Sequence, residues 1–188
     1  MRQSSEEVEG KERGTMAMDT FTLIASQYAL EEEALEDYDA VRAAYEDLGI
    51  IDTYDAAVVT KGPDGKVRIV ERVEEPTRHG AIAGLAVGLA VGALVALFPA
   101  VALGAGLAIG GASGAALGAT AGHVAAGMSR SDLKDVGELL DAGTSGLIVV
   151  AATDVEGRVE AAIQRGKDIV KKQVQIDADG LKTEIDSL

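Results

Sequence analysis

Apolar positions change rhythm along this chain, and each change marks an expected element. Residues 18–28, MDTFTLIASQY, alternate around Phe21, Leu23 and Ala25 with the two-residue period of a half-buried strand. From 30 to 48 the period lengthens. Leu30, Ala34, Leu35, Val41, Ala44, Tyr45 and Leu48 then share a helical face, and Gly49 follows as a C-cap. Residues 54–61, YDAAVVTK, predict a second strand, GPDG a tight turn, and 66–74, KVRIVERVE, a third strand folded back as a hairpin. Val67, Ile69 and Val73 share a face there, and Glu71 breaks the alternation, as expected where a strand reaches a sheet edge.

Beyond residue 128 the ordinary patterns return. Ser129 or Ser131 caps a helix through Leu140 that Gly143 closes. GLIVVAAT, 146–153, is apolar throughout until its threonine, as expected of a central strand covered on both sides. A helix from about 155 to 171 carries Val159, Ala162, Ile163, Ile169 and Val170; 172–178 alternates Val174 and Ile176 as a last edge strand; 180–188 reads as a weak helix or tail. The expected fold class is α+β. The first four strands and two helices match the ferredoxin-like βαββαβ order, followed by an αβ extension. The sheet domain is discontinuous, 18–78 and 129–188, preceded by a polar leader over 1–17 that reads as disordered and lacks the apolar core of a signal peptide.

The interruption, 79–128, is different in kind. No Asp, Glu, Lys or Arg stands between Arg78 and Arg130. Two glycine rows run at four-residue spacing, Gly80, Gly84, Gly88 and Gly92, then Gly106, Gly110, Gly114, Gly118 and Gly122. Leu97-Phe98-Pro99-Ala100 separates them, and proline marks a turn between two helices of roughly 80–97 and 100–126. Facing positions of an antiparallel hairpin have numbers of constant sum, and a sum of 202 sets every glycine of the first row against one of the second. Small residues then let the two backbones approach, offsetting their poor helix propensity through close packing. Ser113 and Thr120 are candidates for interhelical hydrogen bonds. The insertion point joins two surface elements, so such a hairpin can leave the sheet and return.

A membrane span needs about 20 apolar residues. The first helix, AIAGLAVGLAVGALVALF, barely qualifies against a minimum of about 17, and the second is longer but weaker. Arg68, Arg72 and Arg78 precede the hairpin, Arg130 and Lys134 follow it, and the turn is uncharged, which predicts a cytoplasmic sheet domain beside an inner membrane. The competing expectation is a soluble homo-oligomer that buries its hairpins in protein.

Composition narrows the chemistry. A net charge of −14 argues against nucleic acid as a partner, and the absence of cysteine removes disulfides, thiol catalysis and thiolate metal sites. The two histidines, His79 and His123, also sum to 202 and are expected close together at the hairpin's mouth, as a pH-sensing pair or simply as boundary residues. Gly104 to Gly110 has dinucleotide-loop spacing without its strand–turn–helix setting, and Glu31, Glu32 and Glu33 suit the first turn of a helix. No catalytic residue, cofactor or metal ligand emerges, so no enzyme is expected.

YEDLGIIDTYDAAVVTKGPDGKVRI, the Gly/Ala-rich hairpin, and SDLKDVGELLDAGTSGLIVVAA followed by a helix and VQIDAD together resemble a bacterial family of unknown function, regarded as predicted membrane proteins and linked in part to stress. The likeness covers roughly 19–180. It implies this architecture and a membrane setting, and brings no catalytic residues.

Overall fold

Strand β4 (Ser145–Ala152) sits in the middle of the sheet because it can tolerate no water on either side. Leu147, Val149 and Ala151 are buried on one face, Ile148 and Val150 on the other. Around it stand β1 (Asp19–Tyr28), β2 (Tyr54–Lys61), β3 (Val67–Arg72) and β5 (Ile169–Ile176), all antiparallel, in the order β3-β2-β4-β1-β5. The helices are α1 (Glu31–Leu48), α2 (Leu89–Leu97), α3 (Ala112–Gly127), α4 (Arg130–Ala142), α5 (Glu156–Ala162) and α6 (Ala178–Asp186). This computed structural model describes residues 19–48, 54–64, 67–72, 89–97, 112–152 and 156–187. The leader, Gly49, Val73 and the Phe98-Pro99 turn lie outside them.

The strand order differs from the one expected of a βαββαβ unit built on the first four strands. That unit would set β3 beside β1; instead β4 lies between β1 and β2, and β3 is the edge. Hydrophobicity decides the exchange, since VRIVER carries three charges and cannot be covered twice. Two crossovers interlock as a result. β1 and β2, joined through α1, run parallel with β4 between them, while β4 and β5, joined through α5, run parallel with β1 between them.

Both faces of the sheet are covered. On one, Ala34, Tyr38, Val41 and Tyr45 of α1 and Val159 of α5 pack on Ile24, Tyr28, Val58 and Val149. The Tyr45 and Tyr54 rings stack at 3.8 Å between α1 and β2. On the other, Leu23, Ala25, Ala57, Ile148 and Val174 meet α2, α3, α4 and α6. Ser129 caps α4 by accepting from the Asp132 N–H at 3.1 Å, and its hydroxyl donates to the Asp132 carboxylate at 2.7 Å. Lys172 ties that helix to β5 through Asp132 at 2.8 Å and Asp135 at 2.6 Å.

Two irregularities have identifiable causes. The β2–β3 register shifts between Val58 and Val59, so that Glu71 opposes Val58 while Ile69 opposes Val59. Val70 is the extra residue and stands partly exposed. The broken alternation at Glu71 is thus a bulge on the edge strand. The helix expected over 155–171 ends at Ala162, and Ile169 and Val170 belong to β5. Asp37 of α1, fully buried, takes the backbone that would have continued the helix. It accepts from the Arg165 N–H at 2.8 Å, the Gly166 N–H at 3.2 Å and the Tyr28 hydroxyl at 3.1 Å. Lys167 N–H then donates to Gln27 C=O at 3.0 Å, and Gln27 N–H to Asp168 C=O at 3.3 Å, fixing the approach to β5.

Replacing Asp37 by Ala removes the acceptor of two part-buried N–H groups and of the buried Tyr28 phenol, and should cost about 3 kcal/mol in urea unfolding. Burial pushes the Tyr28 and Tyr38 hydroxyls well above the usual tyrosine range. A raised folded-state value means stability fully present below the ordinary tyrosine value of about 10 and lost as the pH climbs past it. Tyr28→Phe should therefore flatten the alkaline limb of a stability-versus-pH curve, measured by urea titration.

Candidate functional site

The sheet face opposite α1 carries the described part of the charge-free stretch. α2, LAVGALVAL, and α3, ASGAALGATAGHVAAG, contain no charged residue other than His123 when protonated. α2 is apolar around its whole circumference, and α3 is so apart from Ser113, Thr120 and His123, the pattern of helices covered on most sides. Ala90, Val91 and Ala93 of α2, with Val124 of α3 and Met128 just beyond it, belong to the same core as Leu23, Ile148 and Val150. The described helices α2 and α3 thus rest on the sheet as part of one of its two covers.

Its attachment is polar at one end. Asp55, buried on β2, accepts from the Ala90 N–H at 2.9 Å and so caps the first turn of α2. At the other end Gly127, closing α3, lies directly against the Gln175 carbonyl of β5, where a side chain would collide with backbone. Asp55 and Gln175 lie toward the same end of the sheet, where β1 and β2 begin, so α2 and α3 cross the face in opposite directions. Leu97, at the far end of α2, reaches Gly137 of α4. Between these two helices lies a shallow groove of about 410 Å³ lined by Ala96, Leu97, Leu133 and Gly137, with Lys134, Glu138 and Asp141 on its rim.

The glycine rows are placed as follows. Gly92 is buried, and a Cβ built on it would stand 2.6 Å from Cγ2 of Thr120, so the α2–α3 contact pairs position 92 with 120. The symmetric register sets 92 opposite Gly110, ten positions earlier, and Gly110 lies outside the described residues. So do Gly80, Gly84, Gly88 and Gly106. Gly114 and Gly118 lie within α3. Gly122 is exposed, with no described atom within 4 Å of its would-be Cβ. Thr120 fills the space that Gly92 leaves open. The side chain of Ser113 lies outside the described part. His79 is likewise outside, while His123 Nε2 sits 3.2 Å from Glu184 Oε2 on α6.

Asp37 and Asp55 are buried carboxylates that the pattern reading passed over. A signal existed for both. Asp37 falls on the inward stripe of Ala34, Tyr38 and Val41, and Asp55 falls on the strand face of Ala57 and Val59. Both engage backbone N–H groups, which is structural chemistry. Among the described residues no group of His, Asp and Glu side chains could hold a metal ion, and no helix is long and apolar enough to cross a membrane. Neither family models, nor curated proteins, nor solved structures yield a match to this chain.

The two glycines make opposed predictions. Gly92→Ala should lower stability by about 1–3 kcal/mol through the clash with Thr120, and adding Thr120→Ser, which removes the offending methyl, should recover part of the loss. Gly122→Ala, with open space around it, should raise stability by up to about 1 kcal/mol through helix propensity. Thermal unfolding of the four proteins measures all three effects.

Proposed function

We propose that this is a non-enzymatic, self-assembling protein that associates with a membrane through the stretch 79–128, the sheet domain acting as its anchor on the cytoplasmic side of an inner membrane. The observation that carries this reading is the mismatch between the helices and their cover. α2 and α3 carry no acidic or basic residue beyond His123, yet the sheet, their mutual contact, α4 and α6 leave part of their described surface open. Val95, Ala96 and Leu97 remain half-buried, and Gly122 and Ala126 face outward. Lipid, or the same surface of another copy, completes their burial. The lysines and arginines flanking the stretch support the orientation. The likeness to a stress-linked bacterial family makes stress the condition under which to seek a phenotype.

The scaffold itself we read as a ferredoxin-like unit drawn from other elements than the first four strands. β1-α1-β2 and β4-α5-β5 form its two crossovers, with both helices on one face. β3 is then an added edge strand. α2, α3 and α4 are an insertion laid over the face that such a unit leaves open.

One observation favours a second reading. Ala90, Val91, Ala93 and Val124 share their core with the sheet, so the pair gives up that burial if it leaves. A soluble homo-oligomer would keep the helices in place and cover their outer sides with a second copy.

Carbonate washing of cell membranes, followed by sizing with and without detergent, separates the two. Membrane association predicts that the protein stays with the pellet and that detergent releases it as a homo-oligomer. Release by carbonate as a high-mass assembly supports the second reading, and release as a lone monomer overturns both. Gly122→Asp, at an open position, should shift the protein out of the pellet while leaving its circular dichroism unchanged.

A further inference from the structure

The last helix has features of a movable cover over α3. α6 spans nine residues, too short to hold helical form without packing. It lies against α3. Its hold there has three described parts. Leu181 is fully buried in the core that contains Val124 and Met128. Glu184 meets His123 of α3 at 3.2 Å. Asp177 starts the helix, its carboxylate accepting from the Gly180 N–H at 2.9 Å and its carbonyl from the Leu181 N–H at 2.9 Å. The outward side is polar, with Asp179, Thr183 and Glu184 exposed.

Position in the chain matters as much as contact. α6 follows β5, an edge strand whose inward Val174 and Ile176 are anchored ahead of Asp177. A swing about Asp177 therefore breaks no strand ladder. Among the described side chains it withdraws Leu181 from the core and Glu184 from His123, and so uncovers the side of α3 that carries His123.

We infer that α6 is a strap that closes over the apolar helix α3, and that its release gives α3 access to a lipid bilayer. The inference rests on the membrane reading above for the identity of what α3 meets. It adds where the control lies. The closed strap presents a polar exterior, and the open one presents an uncharged helix.

The natural chain has no cysteine, so His123→Cys with Glu184→Cys supplies two thiols that a short bismaleimide can join, locking the strap. Leu181→Asp is the open counterpart. Full-length proteins are floated with phosphatidylcholine vesicles, and amide hydrogen exchange is followed in parallel. The expected result is a several-fold larger vesicle-bound fraction for Leu181→Asp than for the natural chain. The cross-linked variant should bind several-fold less than the same variant before cross-linking. Exchange in Leu181→Asp should quicken over α3 and stay slow in β1 and β4. Equal vesicle binding by locked and unlocked protein overturns the strap while upholding membrane association. No binding by any form, with faster exchange confined to α3, overturns membrane association and leaves the strap. Faster exchange throughout the sheet makes α6 an ordinary part of the core and overturns the proposal.

Discussion

A strand that is apolar on both sides obliges the rest of the chain to cover a sheet twice. β4 imposes that condition here, and β1 shares it through Leu23 and Ala25 on one face and Ile24 and Tyr28 on the other. One cover is conventional, built from α1 and α5. The other is assembled from helices of contrasting character. α4 is amphipathic and capped, whereas α2 and α3 carry no acidic or basic residue beyond His123. Helices of the second kind satisfy the sheet and still have surface to spare, and the functional reading grows from that surplus.

Two buried carboxylates fasten these layers. Asp37 draws the α5–β5 connection against α1, and Asp55 holds the start of α2 against β2. Asp55 accepts from one buried backbone N–H and Asp37 from two part-buried ones, contacts whose loss leaves donors without their partner. The surface pairs, such as Arg42 with Glu46 and Lys134 with Glu138, are solvated and contribute little by comparison.

Local rhythm made most of the elements legible. β2 and the capped helix α4 fall almost where their patterns predict, and the unbroken apolar run of β4 announced a central strand. The misreadings turn largely on contact between residues far apart in the chain. Gly166 was a local stop signal that the apolar rhythm overrode, and Asp37, more than 120 positions earlier, holds the chain there. The numerical symmetry of the glycine rows suggested a register; among the described residues Thr120 meets Gly92, and Gly110, its expected partner, lies outside them. Strand order was misassigned because a hairpin signal such as GPDG fixes which strands are adjacent, and says nothing about which stranger inserts beside them. The carboxylates were visible as charges on inward stripes, a discordance that periodicity alone treats as noise.

The interlocked crossovers carry a consequence for biosynthesis. β1 finds its described ladder partners in β4 and β5, so the strand made first waits for residues 145 to 176 to emerge from the ribosome. The uncharged helices are synthesised inside that interval, before the platform beneath them exists. A nascent chain of this design exposes its greasiest portion while its own shelter is unfinished. The order of synthesis alone gives chaperones or an insertion machinery a window on it that the finished fold closes.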